Sequence, residues 1–291
     1  MKINISFFFA ILYGILLLTG CSEATENPHA TGNNPHATGH HSDAEIDHLS
    51  EDGVTYEKEV HLSNMHQFTF GGDNAEAYWS FDSDALVFQT ANPQGGIQCD
   101  QIFVMKVDAD GTPSETPPSR VSNGLGRTTC AYFMPGDTSV VFASTHLADS
   151  LCPEVPPRGP NGEYVWPIYE GYDIFTADLD GHLLSRLTDF EGYDAEATLS
   201  LQGDKMVFTS LRSGDLELYT CDIDGSNVKQ ITTELGYDGG AFFSPDGNQL
   251  IWRASRPQSD EEVAHYQELL TNGLVEPIAM ELFIANSDGT D

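Results

Sequence analysis

The chain has 291 residues, with 45 acidic against 12 basic side chains and a formal net charge of −33. That imbalance repels polyphosphate and anionic lipid, which argues against nucleic acid and bare membrane surfaces as partners. It suits cations or a basic protein patch, and equally a whole surface adapted to salt water, where dense charge is screened.

Residues 1–20 carry Lys2 and then an almost unbroken apolar run from Ile3 to Leu18. A charged start ahead of a short apolar core reads as a secretion signal. The run is about as long as a minimal membrane span, so an uncleaved anchor is the alternative. Leu18-Thr19-Gly20-Cys21 resembles a bacterial lipobox, which implies that Cys21 is lipidated and becomes the mature N-terminus. Acyl chains anchor firmly, because each buried CH₂ contributes about 0.8 kcal/mol. Ser22 is compatible with outer-membrane sorting, and Glu23 and Glu26 with a surface-export signal.

Residues 21–60 read as a tether. Asn27-Pro28-His29-Ala30-Thr31-Gly32 recurs as Asn34-Pro35-His36-Ala37-Thr38-Gly39, and such polar, Pro- and Gly-rich sequence lacks the apolar content for a packed core. His29, His36, His40, His41 and His48 fall here. Imidazoles capture zinc, copper or nickel transiently, or they are incidental to a solvated spacer; no metal site and no cofactor is assigned.

From residue 61 onward the sequence repeats. The pairs Ala77 and Phe88, Ala131 and Phe142, Ala197 and Phe208, and Ala241 and Trp252 are each 11 residues apart. Related turns lie between them: Phe81-Asp82-Ser83-Asp84, Pro135-Gly136-Asp137, Gln202-Gly203-Asp204 and Pro245-Asp246-Gly247. Third strands are expected at Gln101-Ile102-Phe103-Val104, Asp173-Ile174-Phe175-Thr176, Glu217-Leu218-Tyr219-Thr220 and Glu281-Leu282-Phe283-Ile284. Each runs into an Asp-Gly turn (Asp110-Gly111, Asp180-Gly181, Asp224-Gly225, Asp288-Gly289), and fourth strands end in Arg120-Val121-Ser122, Arg186-Leu187-Thr188 and Gln230-Ile231-Thr232. Gly and Asp tolerate the positive φ angles of tight hairpins. One four-stranded antiparallel sheet per roughly 40–50 residues is the mark of a β-propeller blade. Gln67-Phe68-Thr69 matches Gln230-Ile231-Thr232, so residues 61–69 are expected to supply an orphan fourth strand that completes the last blade and closes the ring.

Ser244-Pro245-Asp246-Gly247 followed by an aromatic strand, with turns of the Asp222-Ile223-Asp224-Gly225 type, resembles the WD40-like PD40 repeat of TolB-family propellers over about residues 62–291. The resemblance implies an all-β β-propeller of four-stranded blades in residues 61–291. Rings of that family usually have six or seven blades, so the four blades visible here are expected to be a fragment that lacks about two more. Propellers of this type also occur in prolyl-oligopeptidase and tricorn-type proteases and in some polysaccharide lyases, so the fold leaves the chemistry open.

Strand alternation places the fourth-to-first connections and the second-to-third loops at one end. Phe142 to Phe175 is 33 residues and Trp252 to Phe283 is 31, whereas Phe208 to Tyr219 is 11. Within the longer loops, Ser259 and Glu262 form a capping box ahead of Val263, Tyr266 and Leu270, and Asn272-Gly273 ends the helix. This helix is expected to pack over the blade rim. The insertion 145–172 holds Cys152, Pro153, Pro156, Pro157, Pro160, Trp166 and Tyr169, which suits either a rigid recognition loop or a cover over its own blade. The Asp-Gly turns lie at the opposite end and read as hairpins; they lack the later bidentate acid of a calcium loop.

Cys99, Cys130 and Cys152 map to the loop-rich end and Cys221 near the other. One disulfide is expected among the first three, and Cys130–Cys152 closes the shortest loop. The innermost strands begin with Asn74, Glu76, Arg127, Asp194, Glu196 and Asp238. These are expected to converge on the channel mouth, where they bind a cation or basic peptide or act as acid and base; alternatively they bond the backbones of neighbouring blades. No G-x-S-x-G elbow or H-E-x-x-H helix occurs, and no catalytic residue is assigned. The reading that results is a non-catalytic envelope lipoprotein. It touches membrane only through its lipid, on the periplasmic side or the surface of the outer membrane, and docks envelope proteins or peptides. A carbohydrate-active or glycan-binding propeller and a metal-handling protein that uses the tether are the alternatives.

Overall fold

The computed structural model describes residues 60–290 apart from 64, 157, 160 and 161. The signal segment, Cys21 and the histidine tether lie outside the described residues. Residues 60–63 belong to a unit of their own, and every described strand lies in the second unit, Asn64–Asp291.

Four antiparallel sheets follow one another along the chain. The first blade is β1 (Asp73–Trp79), β2 (Ala85–Asn92), β3 (Ile97–Lys106) and β4 (Ser119–Arg120). The second uses β5 (Thr128–Phe133) and β6 (Ser139–Ser144), then, after β7 (Trp166–Pro167) in the insertion, β8 (Asp173–Asp178) and β9 (Leu183–Arg186). The third is β10 (Asp194–Leu199), β11 (Lys205–Ser210), β12 (Glu217–Asp222) and β13 (Lys229–Gln230). The fourth is β14 (Asp238–Phe243) and β15 (Gln249–Ala254), followed by α1 (Asp260–Thr271) and β16 (Leu274–Val275) and completed by β17 (Glu281–Asn286). The arrangement is a four-bladed propeller, and the paired Ala and aromatic columns of the repeat fall on the first and second strands of every blade.

Packing between blades explains why these strands are so apolar. Val87 and Ile102 of the first blade, Val141 and Ile174 of the second, and Val207 and Leu218 of the third are all 0% exposed. Each pair packs against the innermost-strand alanine of the next blade: Ala131, Ala197 and Ala241 respectively. A small residue lets the inner strand approach closely, and each buried aliphatic side chain contributes about 1.5–3 kcal/mol. Blades with a neighbour on both sides bury both faces of their second strand, as in β6 and β11. In β15 burial alternates, because among the described residues no blade packs on the far face of the fourth: Ile251 is 42% exposed, Leu282 74% and Ile284 59%.

Polar contacts repeat in step. The hydroxyls of Ser122, Thr188 and Thr232 accept the N–H groups of Ile102, Ile174 and Leu218 at 3.0, 2.9 and 2.8 Å. The Asp-Gly turns press on the preceding blade: Gly181 lies against Arg120, Gly225 against Leu187 and Gly289 against Ile231.

Two expectations are corrected. Among the described residues, 65–72 form no strand, and β17 pairs only with β15. Instead Phe68, Thr69 and Phe70 line a groove with Phe88, Phe103 and Met105 of the first blade. Phe68 is half-buried there and Phe70 is 78% exposed, and neither joins the fourth blade. The long insertions also behave differently from two separate loops. β7 pairs with β16, so the second-blade and fourth-blade insertions join into one cap. Its core brings Ile168, Tyr172, Tyr266 and Val275 together with Tyr193, Leu216 and Tyr237. It fits over the third blade because that blade has the short loop. The helix has the expected capping box at Ser259 and Glu262 and ends at Asn272; Tyr266 and Leu269 are its buried residues.

Candidate functional site: a chamber at the head of the channel

Every innermost strand carries a β-bulge at the same place. The register shifts between Ala75 and Tyr78, Thr129 and Tyr132, Ala195 and Thr198, and Gly239 and Phe242. At each bulge one residue turns left-handed: Glu76 (φ 51°), Cys130 (φ 49°), Glu196 (φ 58°) and Gly240 (φ 60°). A positive φ costs a side-chain-bearing residue about 1–2 kcal/mol, and bulges re-aim side chains beside functional sites. All four residues line one chamber of about 100 Å³ with Tyr78, Thr198, Phe242 and Arg253.

Glu196 is the most constrained of these groups. Its carboxylate accepts the Tyr237 hydroxyl at 2.8 Å and the Gly240 N–H at 2.7 Å, and Arg253 stands 3.6 Å away. Burial raises its pKa, and Arg253, Tyr237 and the Gly240 amide oppose the rise. Glu76 accepts the Tyr78 hydroxyl at 2.6 Å. Burial, reinforced by Glu196 and Glu76, pushes the Cys130 thiol up, so it stays protonated. The Tyr78 ring lies 5.3 Å from Tyr132 and 5.9 Å from Phe242, an aromatic wall that joins the first, second and fourth blades. Arg253 lies over the Trp166 ring at 4.9 Å, so the cap reaches the chamber's edge.

Of the six residues expected at the mouth, Glu76 and Glu196 meet. Asp194 and Asp238 are 0% exposed and bind Arg212 and Arg256 at 2.6 and 2.7 Å. The Trp252 indole also donates to Asp238, at 2.6 Å. Each of these ion pairs stays within one blade, the third and the fourth respectively, so the two acids are tied up by side chains of their own sheet. Arg127 is ion-paired with Asp100 and lies 5.6 Å from the Tyr169 ring centre. Asn74 bonds the Gly71 carbonyl at 3.1 Å and is exposed on the first-blade groove. The sequence pattern does not single out Arg253, Tyr237, Tyr78 or Phe242. The signal available is the column itself, since Glu76, Cys130, Glu196 and Gly240 each precede the repeat's small residue by one position.

The disulfide joins Cys99 to Cys152, with Cα atoms 5.5 Å apart, and Cys130 and Cys221 are free. This corrects the Cys130–Cys152 pairing. The bulge turns Cys130 into the channel, while Cys99 on β3 meets the insertion where it crosses back to the first blade. Ligand atoms of Asp178, Asp180 and His182 lie within 4.8 Å of one another at the opposite end. The Asp178 carboxylate accepts the N–H groups of Asp180 and His182 at 3.0 and 2.8 Å. Asp224 and Asp288 bond Ser226 and Thr290 in the same manner, which is the bonding of a braced hairpin turn.

No family model matches the chain, and no curated protein matches it. Among solved structures it is similar to TolB from Acinetobacter baumannii, at 17% identity over 76% of this chain and 42% of that one, with a TM-score of 0.48. The chain therefore spans less than half the length of that relative. It is also similar to a TolB-type protein from Agrobacterium tumefaciens, at 18% identity over 76% of this chain and 79% of that one, with a TM-score of 0.40. A third likeness is to hydrazine synthase from Kuenenia stuttgartiensis, at 13% identity over 62% of this chain and 29% of that one, with a TM-score of 0.44. Among the described residues no helix is long and apolar enough to cross a membrane.

Proposed function

We propose that this protein is a non-catalytic lipoprotein of a bacterial cell envelope, anchored through Cys21, whose propeller docks other envelope proteins or peptides at its loop-rich end. The observation that carries the reading is the cap. Two insertions from different blades join through β7 and β16, and this end exposes Leu147, Leu151, Val155 and Tyr164. Exposed apolar side chains gathered on a rigid support suit protein recognition. The opposite end carries short braced turns that offer little variety of surface. A glycosidase reading calls for two available carboxylates beside the scissile bond, and Glu196 is already engaged by Tyr237, Gly240 and Arg253.

Two experiments test the proposal. Cys21→Ser should release the protein from the membrane fraction; equal retention with an uncleaved N-terminus would remove the lipid anchor. Envelope extract passed over the immobilised chain should yield a partner that Leu151→Asp with Val155→Asp loses and that Asp180→Asn with Asp224→Asn keeps. Equal capture by both variants would overturn the assignment of the docking end.

A further inference from the structure

We infer that the chamber at the head of the channel takes one organic cation, a primary ammonium or guanidinium on a slim stem, as a lysine or arginine side chain presents it. Only the source of that cation, a docked partner, rests on the proposed docking role; the chemistry of the chamber stands without it.

The charge count is the first argument. Two carboxylates, Glu76 and Glu196, face one guanidinium, Arg253. Arg253 lies 3.6 Å from Glu196, and the Glu196 oxygens accept from Tyr237 and Gly240 as well. Glu196 is therefore satisfied within the protein. Glu76 is not to the same degree: its hydrogen bond comes from Tyr78, and a carboxylate has about four lone-pair sites to fill. The surplus negative charge of the chamber is thus on Glu76, beside the aromatic wall.

Shape and wall chemistry decide the kind of cation. The Tyr78 ring centre lies 5.3 Å from that of Tyr132 and 5.9 Å from that of Phe242, and the Tyr78 and Phe242 rings line the chamber. Aromatic faces beside a carboxylate attract ammonium and guanidinium groups through the ring quadrupole. A metal ion would need more ligands, and among the described residues the one group of three ligand atoms close enough to hold an ion is at the opposite end of the propeller. The chamber of about 100 Å³ has room for one side-chain head group with a few waters. The field of a chain with net charge −33 concentrates cations near it. Trp166 of the cap borders Arg253 at 4.9 Å, so a segment docked on the cap lies within reach of the chamber.

The test is a calorimetric titration of the intact chain with n-butylammonium chloride, N-acetyl-lysine amide and, as the neutral control, n-butanol. Saturable binding of butylammonium and none of butanol is expected. Glu76→Gln should weaken binding by about tenfold or more, the worth of one charge-assisted hydrogen bond, with an unchanged melting point. If Glu76→Gln melts early, Phe242→Leu decides instead. It removes a ring face, leaves both carboxylates, and should weaken binding several-fold. No saturable binding of either amine to the wild type overturns the inference, as does undiminished affinity in a variant that melts like the wild type. Binding of the lysine derivative at least as tight as butylammonium supports a side-chain source; binding of butylammonium alone supports the chamber with a free amine as its ligand. Leu151→Asp with Val155→Asp leaves the chamber intact, so loss of partner capture there with amine binding kept separates the docking reading from this one.

Discussion

Glu196 accepts the backbone N–H of Gly240 at 2.7 Å, across the seam between the third and fourth blades. The bond links two bulges of the same column and lets the left-handed turn of one blade satisfy the donor exposed by the next. In the first blade Gln89 does the same for Cys130, accepting its N–H at 3.1 Å. Glu196 is thus part of the frame, while Glu76, at the equivalent bulge, accepts the Tyr78 hydroxyl and faces the chamber.

The pair predicts an asymmetry. Glu196→Ala strands two buried donors, the Gly240 N–H and the Tyr237 hydroxyl, and should cost about 2–4 kcal/mol. Glu76→Ala should cost less than about 1 kcal/mol. Both positions have positive φ, so the backbone contribution cancels in the comparison. Thermal melts of the two variants read it directly, and equal losses would refute the division of roles.

A second prediction concerns the Asp-Gly turns. A methyl group at Gly225 would overlap the Leu187 carbonyl oxygen of the preceding blade, whereas one at Gly111 meets nothing. Their φ angles are both +84°. Gly225→Ala and Gly111→Ala therefore share the left-handed penalty of about 1–2 kcal/mol, and Gly225→Ala should lose at least about 1 kcal/mol more. Denaturant melts that place the two variants together would deny the turn its part in the blade interface.

The regular part of this fold is readable from residues alone. Ala197, Phe208 and Tyr219 repeat because every blade buries the same positions against the same kind of neighbour, so spacing maps directly to structure. The bulge leaves no comparable mark. Glu76, Cys130, Glu196 and Gly240 share a conformation but no common residue type, with glutamate twice and cysteine and glycine once each, and local propensity gives no reason for Cys130 to turn left-handed. The cap is hidden for a different reason. Trp166 and Val275 are more than 100 residues apart, and their pairing depends on the space left by the short loop of the third blade. The expected strand at 61–69 fails because a three-residue match such as Gln67-Phe68-Thr69, with Phe68 its single apolar side chain, is too short to specify a pairing partner.

Glu217 gives a prediction with a pH signature. It is 2% exposed, and its Oε2 has no hydrogen-bond partner. Burial lifts its pKa from 4.5 to about 7, with Asp238 and Asp215 adding to the rise against Thr232 and Arg256. A raised acid opposes folding when it ionises. The unfolded chain releases this proton near pH 4.5 and the folded chain near pH 7, so stability is lost as pH rises through that window, by about 3 kcal/mol. The equivalent position of the first blade holds Gln101, whose amide donates to Gly126 at 3.1 Å. Glu217→Gln should therefore raise the melting point by about 5–10 °C at pH 8 and leave it unchanged at pH 4. A gain of the same size at both pH values would show that ionisation of Glu217 is not the cause.

The last prediction tests the far face of the fourth blade. Leu218 and Leu282 occupy the same position in consecutive blades, yet Leu218 is 0% exposed and Leu282 is 74% exposed. Lysine at Leu218 would place a charge between blades three and four, against Ala241 and Leu250, and should prevent folding or cost more than about 4 kcal/mol. Lysine at Leu282 meets solvent and should change stability by less than about 0.5 kcal/mol. It also breaks the apolar strip of Ile251, Leu282 and Ile284 beside β17, whose outer edge pairs with no strand among the described residues, and charges on an exposed edge suppress association. Leu282→Lys should therefore melt like the wild type and bind less of a dye that reports exposed apolar surface. A large loss of stability in Leu282→Lys would mean that this face is covered in solution, and the contrast between the third and fourth blades would fail.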